Sequence, residues 1–104
     1  MYKRQKEYHE KSLAIGKEIY GEHHGDVAIS YNNLGTVCSH LGQYNQAKEY
    51  YEKSLAIRKE IYGEEHPDVE KTFYNLRLVE RKQRELNETR RKIIVLIHLS
   101  LIHI

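Results

Sequence analysis

The chain has 104 residues, and its 17 lysines and arginines against 15 aspartates and glutamates give a net charge of +2. This length allows one small domain, and the near-balance of charge argues against a histone-like polycation or an acidic tail. The single cysteine excludes an intrachain disulfide scaffold and a zinc ribbon, while one proline and six glycines argue against a collagen-like or flexible-linker chain.

The first predicted element is a helix over residues 2–20, and most of it recurs 42 residues further on. Residues 8–27 and 50–69 are identical at 16 of 20 positions. The four differences are His9/Tyr51, Gly16/Arg58, His23/Glu65 and Gly25/Pro67. Because such identity at a fixed offset is the signature of a repeat architecture, the chain is built from a duplicated unit.

The second and third predicted elements are helices over about residues 26–41 and 44–62. In each of them apolar residues return with a period near 3.6 and share one face, as in an amphipathic helix. Gly42 follows the first of these helices and Gly63 the second, where glycine commonly ends a helix. The two therefore form a helical hairpin, whose members we call helix A and helix B.

The fourth predicted element is another helix A, over residues 67–91, with a proline in its first turn and no breaker after it. By the 42-residue offset, Arg77 stands where the preceding helix A has Gly35. A large charged residue thus occupies a position at which helix A should approach helix B. This departure indicates either a terminal cap or a decayed repeat.

The elements divide the chain into four segments. Residues 1–21 are a partial repeat with helix B only, 22–63 a complete unit, 64–92 the extended helix A of a degenerate or capping repeat, and 93–104 an apolar tail outside the repeat.

Nine of the twelve tail residues are Ile, Val or Leu. As a helix the tail would span about 18 Å against a bilayer core of roughly 30 Å, so we expect no membrane span. It either packs over the exposed end of the stack or is non-repeat sequence appended to it.

Three phrases of the sequence carry a family resemblance: YNNLG at 31–35, YYEKSLAI at 50–57 and IYGEEHPDV at 61–69. They are similar to the tetratricopeptide repeat, in the 42-residue form found in kinesin light chains and nephrocystin-like proteins, over about residues 2–80. Small residues at its signature positions let two helices approach, and larger ones fill the space around them. The matching packing positions are Tyr31, Leu34, Gly35, Ala47, Tyr51 and Leu55.

The resemblance implies an all-α fold, a short α-solenoid of antiparallel helix pairs, and a non-catalytic protein–protein interaction module of the scaffold or adaptor kind. It also implies that helix A lines a groove for a partner peptide. The groove positions here are Ile29, Asn32, Asn33, Thr36 and Ser39. Asn32 is the best match, because an asparagine amide both donates and accepts hydrogen bonds. A solvated or hairpin-stabilising role for the asparagines stays open.

One complete unit and two halves fall short of the roughly three units that such arrays usually need. We therefore expect a fragment of a longer array, a truncated gene product, or a chain that associates through its exposed repeat ends. A purely structural fragment without its own partner is the main alternative to the peptide-binding module.

Chemistry-bearing residues are few. His23, His24 and His66 lie among acidic residues, but none is paired at metal-ligand spacing, and turn and cap roles explain them better. Cys38 falls on the packed face of helix A, where a cysteine acts as a small apolar residue. Because nucleophile-elbow, P-loop and dinucleotide motifs are missing from the sequence, we expect no catalytic residue, no metal and no cofactor.

The segment 77–92 holds seven basic and three acidic residues, which raises nucleic-acid binding as a less favoured alternative. Aromatic residues for base stacking are absent after Tyr74, so a solvated helix face explains the segment better and we expect no nucleic-acid partner.

The first residues lack the apolar run of a signal peptide, which predicts a cytoplasmic protein. The resemblance adds cytoskeletal or ciliary settings.

Overall fold

The structure is a computed structural model that describes residues 1–103, and all four elements in it are helices. They are α1 (Tyr2–Tyr20), α2 (Gly25–His40), α3 (Tyr44–Tyr62) and α4 (Pro67–Ile102). Each helix packs against the next in antiparallel fashion, and α2 also touches α4, so that the two A helices lie side by side. The prediction of an all-α stack of antiparallel helix pairs is confirmed.

Histidines cap the two A helices. His24 precedes α2 in an extended conformation, and its Nδ1 accepts a hydrogen bond of 3.1 Å from the backbone N–H of Asp26. Its ring stacks on that of Tyr20 at 4.3 Å. The same arrangement recurs at the start of α4 with His66, Asp68 and Tyr62. The predicted cap and turn role of these histidines is confirmed. The two copies of the turn sequence thus make the same cap at the start of each A helix.

The buried side chains form two clusters that share α2 and α3. The cluster between α1, α2 and α3 contains Leu13, Val27, Ala28, Tyr31, Leu34 and Ile57. The cluster between α2, α3 and α4 contains Cys38, Ala47, Tyr51, Leu55, Val69, Leu76 and Val79. Every packing position named from the sequence is buried, and no residue of these clusters exceeds 9% exposure. The core is therefore shared between neighbouring units, as stacked repeats require.

Gly35 sets the distance between α2 and α3. A Cβ atom built on it would lie 2.7 Å from Cδ1 and from Cε1 of Tyr51, closer than side-chain carbons approach in proteins. The ring of Tyr51 therefore lies directly on the backbone of α2. Its hydroxyl completes the contact with a 2.8 Å hydrogen bond to the Thr36 hydroxyl.

Two buried polar contacts tie the helices together. The Ser54 hydroxyl of α3 donates a 2.8 Å hydrogen bond to the carbonyl of Ala28 in α2. Arg58 of α3 is 7% exposed, and its guanidinium donates to the Thr72 hydroxyl at 2.7 Å and to the Asp68 carbonyl at 3.3 Å, both in α4. Arg58 is one of the four positions that differ between the copies, so this junction is a feature of one repeat only.

The apolar tail continues α4 without a break as far as Ile102. Its large apolar side chains are between 47% and 66% exposed, so of the two alternatives for the tail, packing over the end of the stack is not what the structure shows. The reason is local: α4 contains no glycine and no proline beyond its first turn, and nothing turns the helix back toward the stack.

Among residues 1–103, no helix combines the length and apolar character needed to cross a bilayer.

Substituting the two mid-helix glycines should have opposite effects. Gly35→Ala forces its Cβ into the Tyr51 ring, and we expect the free energy of unfolding to fall by about 1–3 kcal/mol. Gly16→Ala is the matched control: its Cβ would lie 3.6 Å from Val27 Cγ2, an ordinary contact, so the better helix propensity of alanine should raise stability by about 0.5–1 kcal/mol. Urea unfolding followed by circular dichroism measures both, and equal effects would contradict the close contact.

The stack should also lose stability in mild alkali. Cys38 is fully buried, and burial raises the pKa of its thiol; burial likewise raises the pKa of Tyr51, an effect that its hydrogen bond with the Thr36 hydroxyl partly offsets. A raised pKa in the folded state stabilises the fold below the unfolded-state pKa and is lost above it. The free energy of unfolding should therefore fall as pH rises past about 8.5, the thiol value, and further past about 10.

Cys38→Ala should remove the first part of that decline and leave the part above the tyrosine value. The measurement is urea unfolding at half-unit pH intervals between neutral pH and the onset of unfolding. A wild-type stability that stays flat until the tyrosines ionise would show that the thiol is not desolvated.

Candidate partner-binding groove

The groove positions named from the sequence lie along the two adjacent A helices. Asn75 of α4 occupies the position equivalent to Asn33, and its side-chain N–H donates to the side-chain oxygen of Asn32 at 3.5 Å. Both asparagines are half-buried. Asn32 is therefore positioned by its neighbouring repeat, and a pair of amides bridges α2 and α4.

Ile29 and Asn33 belong to the other side of α2. Together with residues of α1 they line an open depression of about 450 Å³. Ile29 is 48% exposed, and Ile15 and Ile19 of α1 form the apolar wall opposite. The structure thus separates the five predicted positions into two groups, one at the α2–α4 junction and one at the α1–α2 depression.

Thr36 is turned inward. Its hydroxyl lies 2.8 Å from the hydroxyl of Tyr51 and donates to the backbone carbonyl of Asn32 at 3.1 Å. The Tyr51 hydroxyl has its own hydrogen, so the Thr36 hydroxyl can accept from it while donating to Asn32, and the pair holds the α2–α3 packing together. Ser39 is half-buried one turn further along α2. In this arrangement Thr36 supports the fold, whereas Asn32 contacts α4 and Ile29 lines the depression beside α1.

The groove positions predicted from the sequence all lie on the first A helix. Their equivalents on α4, at the 42-residue offset, are Lys71, Tyr74, Asn75, Leu78 and Arg81. Tyr74 is 62% exposed and Lys71 and Arg81 are also exposed, so the α4 half of the face is aromatic and basic where the α2 half is amide-rich and apolar. The duplicated register was the signal that could have identified these residues.

The remaining chemistry-bearing groups do not assemble into a site. Cys38 is fully buried, with its thiol 3.7 Å from the side-chain oxygen of Gln46, and burial raises its pKa, so the thiolate needed for nucleophilic attack is disfavoured. Within the described residues there is no group of three or more His, Cys, Asp or Glu side chains that could hold a metal ion.

Comparison with known sequences agrees with this geometry. The sequence model of the tetratricopeptide repeat matches the chain twice, over residues 6–60 and 26–88. These overlapping matches cover most of α1, all of α2 and α3, and the first part of α4. No curated protein matches the chain closely enough to count as a relative. Tetratricopeptide modules generally mediate protein–protein interactions, and this chain belongs to the tetratricopeptide repeat family.

Proposed function

We propose that the chain holds an extended segment of a partner protein along the face of α2 and α4 that carries Asn32 and Asn75. The observation that carries this proposal is the contact between Asn32 and Asn75, which fixes two amides side by side across the helix junction. Within residues 1–103 the Asn32 side-chain N–H donates to no protein acceptor, so it is available to a peptide carbonyl. An amide pair suits a peptide backbone, which offers a donor and an acceptor at every residue.

Side chains beside the amide pair favour a particular peptide. Tyr74 of α4 and Ile29 of α2 are 62% and 48% exposed, and they would contact apolar side chains of a bound segment. Lys71 and Arg81 are exposed on the α4 half and would attract acidic residues. The partner segment is therefore extended, contains at least one apolar anchor and carries negative charge.

The finer assignment rests on the sequence. The 42-residue unit and the phrases YNNLG and IYGEEHPDV support membership of the kinesin light chain or nephrocystin-like form of the repeat. We infer on that basis a scaffold or adaptor role in the cytoplasm, in a cytoskeletal or ciliary setting. Non-catalytic action accords with a face that offers hydrogen bonds and apolar contacts.

Asn32→Ala should weaken capture of such a peptide without unfolding the chain. A display library of extended peptides selected on the immobilised chain supplies the ligand, and fluorescence anisotropy then gives the dissociation constant. Loss of a bidentate amide contact should raise that constant about tenfold, or about 1.4 kcal/mol. The thermal midpoint should change little, because Asn32 donates nothing to the core.

The matched control is Asn87→Ala, an exposed asparagine of α4 beyond the stack, which should bind as the unchanged chain does. Equal affinity of Asn32→Ala and the control would overturn the groove assignment. If instead the selection yields no peptide while single-stranded oligonucleotides bind with a steep salt dependence lost in Arg81→Ala, the basic helix would be the functional surface.

A further inference from the structure

The first and last helices of the described chain are complementary halves of one hairpin. Within residues 1–103, α1 is a helix B that packs on α2 of the next unit but lacks the helix A of its own unit, and α4 is a helix A without the helix B of its own unit. The internal hairpin of α2 and α3 shows what each half lacks. Because the copies are so similar, a residue of α1 or α4 is compared directly with its equivalent 42 positions away.

The unpaired face of α1 is apolar. Ile57 of α3 is 6% exposed in the cluster around Tyr31, whereas its equivalent in α1, Ile15, is 56% exposed. Tyr50 is half-buried against the same cluster, whereas its equivalent Tyr8 is 69% exposed. The difference arises because, within residues 1–103, no helix lies beside α1 in the place that α2 occupies beside α3.

The unpaired face of α4 carries the matching aromatic ring. Tyr31 of α2 is 3% exposed, and its ring centre lies 6.0 Å from that of Tyr50 in α3. Its equivalent in α4 is Phe73, which is 43% exposed. Placed against α1 as α2 lies against α3, an α4 helix would insert Phe73 between Tyr8 and Ile15.

Charge supplies a second and independent match. In the internal hairpin, the Cys38 thiol of α2 lies 3.7 Å from the side chain of Gln46 in α3. At the equivalent positions α4 has Glu80 and α1 has Arg4. A neutral contact inside the chain thus becomes a pair of opposite charges between the two unpaired halves. Glu80 is half-buried and Arg4 exposed, so both side chains are accessible to such a partner.

We propose that α4 of one copy of the chain docks on α1 of a second copy and completes a repeat hairpin between the two molecules. The occupant of the uncovered α1 face is therefore the Pro67–Glu80 part of a second copy. The contact buries Phe73, Tyr8 and Ile15, and it pairs Glu80 with Arg4.

Two substitutions set the spacing of this hairpin. Arg77 replaces the glycine at which the Tyr51 ring lies on α2, so the two axes must be further apart than in the internal hairpin. His9 of α1 replaces Tyr51 itself and is the smaller side chain. The loss of glycine on one helix is therefore offset in part by the loss of bulk on the other.

The contact joins different surfaces of the two copies, so each bound pair still offers one free α1 and one free α4. Contacts of this head-to-tail kind extend into longer assemblies unless they close into a ring. Each junction also places an A helix beside α2, on the side where Ile29 lines the open depression. Assembly would thus lengthen the row of A helices that forms the proposed peptide face.

Blocking one face at a time tests the proposal. Ile15→Asp charges the α1 face and Phe73→Asp the α4 face, and both residues are exposed, so circular dichroism should show unchanged helices. In sedimentation velocity, the unchanged 104-residue chain should give species beyond a dimer as concentration rises. Each variant alone should remain monomeric. An equimolar mixture of the two should form a 1:1 complex and stop there, because one intact α1 and one intact α4 remain.

Charge reversal at Arg4 and Glu80 provides a second readout of the proposed contact. Arg4→Glu and Glu80→Arg should each weaken association about tenfold, since each places like charges opposite one another. The variant with both changes should regain the affinity of the unchanged chain. Failure of that rescue, or a mixture of the blocked variants that stays monomeric, would overturn the proposal.

The exposed tail supplies the matched control. Ile94→Asp removes a side chain of the tail that is 65% exposed and lies outside both faces, and it should leave the assembly intact. If it abolishes association while the two blocked variants continue to self-associate, the tail joins the copies and the proposed hairpin is wrong. An unchanged chain that stays monomeric at millimolar concentration would also contradict it.

Discussion

The close contact between Gly35 and Tyr51 is the constraint on which the rest of the stack depends. With no side chain on α2 at this point, the ring of Tyr51 lies on the helix backbone, and the hydroxyls of Tyr51 and Thr36 meet at 2.8 Å. This brings α2 and α3 close enough to bury the residues on either side of them. Because both core clusters include residues of α2 and α3, the geometry of this one hairpin positions α1 and α4 as well.

Duplication lets the molecule serve as its own comparison. The same residue types are buried in one copy and exposed in the other, as with Ile57 and Ile15, so their exposure reflects what is packed against them rather than their own chemistry. The exposed apolar surface at α1 and at the start of α4 is thus a consequence of repeat packing that has no partner in the described chain. Such surface is where a repeat protein meets another molecule.

Much of this fold could be predicted from the sequence, because the residues that begin, end and bury each helix occur in both copies of the repeat. The glycines that end helices, the histidines that cap them and the helical period place the first three helices to within about one residue of their observed bounds.

The burial of Arg58 could not be predicted, because it depends on hydrogen-bond acceptors in α4 that the sequence pattern does not connect to this residue. The sequence left two alternatives for the tail, and hydrophobicity alone could not decide between them, because it does not show whether an apolar segment has a surface to pack against. For the groove, the positions on α2 were named, whereas the amide pair with Asn75 required the two A helices to be seen side by side.

The central claim, that α2 and α3 meet directly at Gly35, is open to a single measurement in solution. Nuclear Overhauser contacts between the aromatic protons of Tyr51 and the α protons of Gly35 report the distance without any substitution. The structure predicts strong contacts, because a Cβ on Gly35 would lie 2.7 Å from the ring carbons. Their absence, in a chain whose helices are otherwise formed, would show that the hairpin is held at a wider spacing and would contradict the account.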